Sequence, residues 1–198
     1  EVDTPFGELL QKVVVDTYDG EPFDMWLQHP LAWLHVLGND DSCLGELVRQ
    51  TLDRCNNHVG IVFFNDEVDP GKELSARHAR KIEAVYWSLL DFGYPALSNE
   101  TCWFTMFCVR TELRERVRDG MSHLLRIAFR RVFTSGHDLR VGVTFHMCGQ
   151  RRLVRARVRL QLCDELAHRG ITRAKGAAGL MCCGICANCL LYTSPSPR

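Results

Sequence analysis

The amino-acid sequence predicts an α+β protein: a mixed β-sheet with flanking helices, preceded by a helical N-terminal region. Three observations carry that expectation. "GIVFFN", residues 60–65, is an unbroken apolar run rich in β-branched and aromatic residues, as in a central strand. Leu113, Val117, Met121, Leu124, Leu125, Ala128 and Val132 recur at helical spacing. "LVRARVRLQLC", residues 153–163, alternates strictly, with Val154, Ala156, Val158, Leu160 and Leu162 on one side and Arg155, Arg157 and Arg159 on the other.

The remaining elements follow in order. Residues 5–57 read as mainly helical: "DMWLQHPLAWLHVL" is rich in Trp and Leu, with Pro30 starting a helix after Gln28 and His29. A second helix is expected behind Asp41 or Ser42 as N-cap, with Leu44, Leu47, Val48 and Leu52 on one face. After the run at 60–65, Asp69-Pro70-Gly71 turns the chain into a polar, basic loop. "IEAVYWSLLDFG" and "TCWFTMFCVRT" read as two further strands. Thr111 is expected to cap the long helix, whose last turn carries Arg130 and Arg131. Residues 139–163 read as a hairpin turning near Cys148-Gly149-Gln150, followed at once by Asp164 and a short helix.

At 198 residues the chain is expected to form one domain, or one with an appendage, and no apolar run approaches 18 residues, so a membrane partner is not expected. Net charge is zero, but residues 1–69 hold 3 Lys/Arg against 14 Asp/Glu, whereas residues 110–173 hold 15 Arg, no Lys and 6 acids. An arginine-only basic half suits phosphate, which the guanidinium fork binds bidentately. The alternative is docking against the acidic half of the same chain. Six isolated cysteines, Cys43, Cys55, Cys102, Cys108, Cys148 and Cys163, read as small core residues. Cys182, Cys183, Cys186 and Cys189 cluster as metal ligands do. The final stretch "CLLYTSPSPR" resembles the conceptual translation of a transposon-based sequencing-library adapter, so residues 189–198 are set apart from fold reasoning.

Three strands, a helix, another strand and a short helix is the chain order of a ribonuclease-H-like domain. In that arrangement the first and fourth strands lie side by side, which would bring Asp66 and Asp164 to one sheet edge. The segment "VGIVFFNDEVDPGKELSARHARKIEAVYWSLLDFG" also resembles the first catalytic segment of eukaryotic DDE transposases of the Kyakuja–Dileera–Zisupton and Plavaka type. Asp66-Glu67 stand for that family's acidic pair, the stretch from His78 to Lys81 for its basic loop, and Val85-Tyr86-Trp87 for its next strand. "LCDELAH" with Cys183-x-x-Cys186 is similar to its second segment, although Cys163 and Glu165 replace the family's Gly and Asn.

The resemblance implies Asp66 and Asp164 as catalytic acids binding Mg²⁺ or Mn²⁺, and Cys183 with Cys186 as zinc ligands. A third acid is expected beyond residue 188, and without it turnover should be poor or absent. DNA is the implied partner, a second copy of the chain a further one, and the nucleus the implied location. His78, Lys81, Arg155, Arg157 and Arg159 are the candidate nucleic-acid contacts. Cutting and joining DNA at such a site needs two divalent ions about 4 Å apart, one activating the attacking oxygen and one stabilising the leaving oxygen. Mg²⁺ prefers hard carboxylate oxygens and keeps several waters.

Each residue has a plainer reading. Asp66 would serve as the starter of an Asx-type turn, Asp164 as a helix N-cap, the three arginines as a solvated face, and His78 and Lys81 as loop surface. Absent a bulge, Asp164 shares parity with the apolar row of its strand. The division expected is therefore a helical region at 1–58, an incomplete ribonuclease-H-like core at 59–174, the start of a zinc-binding insertion at 175–188, and the adapter-like tail. Two rival functions stand beside the transposase: a non-catalytic remnant binding nucleic acid or protein through its arginines and a zinc knuckle, and another ribonuclease-H-fold nuclease.

Overall fold

The structure, a computed structural model, describes residues 3–69, 81–134 and 136–163. Its opening residues correct the expected helical region. β1 (Asp3–Thr4) and β2 (Gly7–Glu8) form a small ladder, and β3 (Leu10–Val15) pairs antiparallel with β4 (Phe23–Gln28) from Leu10↔Gln28 to Val15↔Phe23. Val13, Val15, Met25 and Leu27 point inward while Val14 and Trp26 stay exposed, a period of two. Three successive valines, stiff at χ1, favour the extended chain. α1 (Pro30–Gly38) starts at Pro30 as expected, where the fixed φ and missing N–H suit the first helical position, while the preceding Phe23–Gln28 stretch is strand rather than helix. α2 (Cys43–Arg54) agrees with expectation: Ser42 Oγ accepts from Gly45 N at 3.2 Å, and Val48 and Leu52 are buried.

β5 (His58–Val68) runs three residues past its apolar core sequence. β6 (Ile82–Leu89) and β7 (Phe104–Arg110) continue it as an antiparallel meander. Between them lie a 3₁₀ turn at Leu90–Phe92, the single-turn α3 (Tyr94–Leu97) and a second 3₁₀ turn at Glu100–Cys102. The long helix expected from Thr111 is two helices, α4 (Thr111–Glu115) and α5 (Gly120–Phe133). Asp119, with φ +73°, breaks it in the left-handed region. β8 (Val143–Met147) and β9 (Gln150–Cys163) form the expected hairpin. Its two-residue turn places Cys148 at φ +47° and Gly149 at φ +75°, as a type I′-like turn requires.

The main sheet has the order β3-β4-β7-β6-β5-β9-β8. β5 and β9 are parallel neighbours, and every other adjacent pair is antiparallel. One hydrophobic core, in which Trp87, Phe107 and Phe145 are fully buried, links residues from Val13 to Ala156. α5 covers one sheet face, where the Phe129 and Phe63 ring centroids lie 4.8 Å apart.

β9 departs from the strict alternation that its sequence suggests. Ile61 stands opposite Val158, but Val62 stands opposite Leu160, so Arg159 is an extra, bulged residue. Ala156 and Val158 therefore share the α5 face with Val59 and Ile61, whereas Leu160 and Leu162 lie on the opposite face with Val62 and Phe64. Beyond Val154 no described strand pairs with the outer edge of β9, which leaves Val158, Leu160 and Leu162 at 43%, 42% and 41% exposure. The isolated cysteines also divide: Cys102 is buried and Cys55 and Cys163 are half-buried, but Cys43, Cys108 and Cys148 are exposed rather than core residues. Among the described residues, no helix is long and apolar enough to cross a membrane.

Candidate functional site

The sheet face opposite α5 carries acid at one end of β5 and arginine at the other. Asp66 is not a turn starter, because β5 continues through it and it stands opposite Ala84 of β6. Alternation sets it on the same face as Phe64 and Val68, away from α5. It is half-buried, and its Oδ1 accepts from the Glu67 N–H at 2.9 Å. Phe64, Asp66, Val68, Tyr86, Trp103 and Leu162 line a cavity of about 530 Å³, to which the end of α3 and the turn after it add Leu97, Ser98 and Glu100. Glu100 is a carboxylate that sequence reasoning missed; it sits in a connecting turn with no strand pattern to mark it. Burial raises the Tyr86 phenol above its ordinary range, and the nearby Cys108 and Asp66 charges push the same way.

Glu67 takes the other face. It pairs with Lys81 across the mouth of the 69–81 connection, Nζ to Oε1 at 2.5 Å, and this carboxylate raises the Lys81 ammonium above its usual range. Lys81, expected as a phosphate contact, thus has a partner within its own chain. Glu83 stands opposite Glu67 and is buried, which pushes its carboxyl upward. Arg114 opposes that rise from 2.9 Å, while Glu67 and Glu115 add to it.

At the other end of β5, His58 and Gly60 stand opposite Arg155 and Arg157 of β9. A cavity of about 440 Å³ here is lined by His58, Gly60, Asp91, Arg140 and all three predicted arginines, Arg155, Arg157 and Arg159. Gly60 is required by a close approach: a Cβ there would lie 2.7 Å from Arg159 Cγ. Its N–H donates to Asp91 Oδ2 at 2.6 Å, tying down the one acid among the described residues of this wall. Arg155 Nε donates to Val141 O at 2.8 Å, and Arg140 is held by Asp138 and Phe133 O. Arg157 and Arg159 meet no acidic partner among the described residues. Asp91 and Arg140 join this site only through the tertiary fold, so sequence spacing offered no route to them.

No protein-family model matches the chain, and no curated protein matches it in sequence.

The site residues therefore fall into three groups. Arg155, Arg157 and Arg159 converge on one cavity, and Asp66 lines another on the same sheet face. Lys81 is paired with Glu67. His78, Asp164, Cys183 and Cys186 lie outside the described residues, as do the expected zinc-binding insertion at 175–188 and the region beyond 188 where a third acid was expected. Among the described residues no three His, Cys, Asp or Glu side chains are grouped to hold a metal ion. Asp66 and Glu100 line the same cavity, which gives it two carboxylates among the described residues.

Proposed function

We propose that the chain is part of a transposon-derived DDE transposase with a ribonuclease-H-like core, which acts on DNA. Asp66 would hold a divalent cation beside the phosphodiester, Asp164 would share it, and Arg155, Arg157 and Arg159 would grip the backbone. A bound Mg²⁺ would supply charge neutralisation and an activated oxygen nucleophile. The reading rests on one observation: β5 and β9 are parallel neighbours in which Asn65 stands opposite Cys163. Asp66 follows Asn65 and Asp164 follows Cys163 in the sequence, and Asp164 itself lies outside the described residues. The strand order β7-β6-β5-β9, with α5 in the connection leading to β9, is also consistent with such a core. DNA lying over the face opposite α5 would meet arginine at one end of β5 and carboxylate at the other.

Metal binding tests this directly. Titration with Mn²⁺, followed by paramagnetic relaxation of water, should give a saturable site that Asp66→Ala weakens at least tenfold while DNA affinity stays within twofold. Equal Mn²⁺ binding by the two proteins would sink the catalytic assignment. It would favour the second reading, a non-catalytic nucleic-acid-binding protein, which the arginine-lined cavity supports by itself.

A further inference from the structure

The arginine cavity does not stand alone. On the α5 side of β9 a second cavity, of about 630 Å³, is walled by Leu125, Phe129, Phe133 and Val158 and rimmed by Arg126, Arg130, Arg140 and Arg157. Arg140 and Arg157 line both spaces. They adjoin at these two arginines around the outer edge of β9, where the Ala156 N–H donates to Leu139 O and no described strand pairs beyond Val154. Among the described residues the walls together carry six arginines, Arg126, Arg130, Arg140, Arg155, Arg157 and Arg159, and one carboxylate, Asp91, already engaged by the Gly60 N–H. Beside them the apolar wall is a low-dielectric surface that focuses their field.

The two spaces differ in chemistry. The smaller is polar and cationic, with Arg157 and Arg159 unpaired by acid among the described residues, and suits a phosphate. The larger offers a flat apolar wall with phenylalanine rings and suits an uncharged aromatic group. Each has the size of a small-molecule site. A ligand filling both must be an anion joined by a short linker to an aromatic ring.

We propose that these joined cavities bind one nucleoside phosphate unit, with its phosphate on Arg155, Arg157 and Arg159 and its base against Phe129, Phe133 and Val158. The proposal extends the nucleic-acid reading of the three arginines but does not use Asp66. The unit is either a free nucleotide or the terminal nucleotide of a single strand, since both present the same two groups. A base paired within a duplex would not enter the apolar space without leaving its stack.

Calorimetric titration of the full chain at low salt tests it, with AMP, adenosine, inorganic phosphate and a 5′-phosphorylated oligoadenylate as separate probes. AMP should bind at least tenfold more tightly than adenosine or phosphate alone. Arg157→Ala should weaken AMP at least tenfold. Val158→Glu, at an exposed position where folding is spared, should do the same without reducing phosphate binding as much. Asp66→Ala should leave AMP binding unchanged, which separates this site from the metal site. Oligoadenylate binding tenfold tighter than AMP supports the proposal and identifies a strand end; equal binding supports it and identifies a free nucleotide. Phosphate binding as tightly as AMP, or no AMP binding at millimolar concentration, overturns it even if duplex DNA still binds.

Discussion

β5 begins between His58 and Arg155 and reaches Asp66 eight residues later, a span of about 26 Å at the usual rise of a strand. At its start the neighbouring side chains are Arg155, Arg157 and Arg159, at its end Phe64, Tyr86, Trp103 and Glu100. The segment at 90–103 crosses the sheet face between them, giving Leu90 and Asp91 to the first cavity and Leu97, Ser98 and Glu100 to the second. The difference teaches where each kind of site comes from. At the basic end the three predicted arginines come from one strand and lie in plain sequence, although Asp91 and Arg140 reach them only through the fold. The acidic end is assembled from four separate stretches, and only Asp66 among its carboxylates had a sequence signature.

The largest expected effect falls on the middle of the sheet, where both ends should fail together. Trp87 is fully buried and stands opposite Phe63. Trp87→Ala should cost about 3–5 kcal/mol in urea unfolding, and should lose Mn²⁺ and nucleic-acid binding at the same denaturant concentration. Loss of one before the other would mean that the two ends are held independently.

Acid should come next. His29 is buried and its Nδ1 has no hydrogen-bond partner among the described residues; burial lowers its pKa to about 4, and the charges of Arg131 and His137 push the same way. A histidine depressed on folding favours the neutral form. Its stability contribution is therefore intact above the unfolded value near 6.5 and is lost as pH falls from there towards 4. The loss should reach about 3 kcal/mol at 1.36 kcal/mol per unit, measured as chemical denaturation midpoints across that range. His29→Gln should flatten the profile. Like Trp87, this lever acts on the whole fold and spares neither end.

The smallest effect should separate the two ends. Replacing Arg155, Arg157 and Arg159 by Ala should reduce DNA affinity about a hundredfold at low salt and lower the salt slope by about two to three, near 0.9 per lost phosphate contact. Anisotropy across a salt series reads both quantities. Mn²⁺ affinity should stay within twofold, the mirror image of Asp66→Ala.

Much of the frame was legible. The β5 run, the α2 cap and the β8–β9 turn each depend on neighbours in sequence, so residues such as Ser42 and Gly149 declare themselves. β3 and β4 were missed because their pairing is the stronger signal: "DMWLQ" reads as helix or strand until Val13 and Met25 are brought opposite each other. The break in the long helix was readable and overlooked, since Asp119-Gly120 is a turn pair inside a helical pattern. Nothing local marks the bulge at Arg159, which shows only when β9 is set beside β5 and Val158 and Leu160 fall opposite Ile61 and Val62. Glu100 and Asp91 were invisible for the same reason: their partners are supplied by folding, not by spacing.

That bulge has a further effect on the economy of the sheet. A strand of perfect alternation feeds greasy side chains to a single layer, and the other side must then be furnished by someone else. By slipping phase once, β9 sends Val158 towards α5 and, two residues later, Leu160 and Leu162 towards the layer that holds Asp66. Removing one residue there would turn the far half of the strand over like a page, and everything written on it would face the wrong reader.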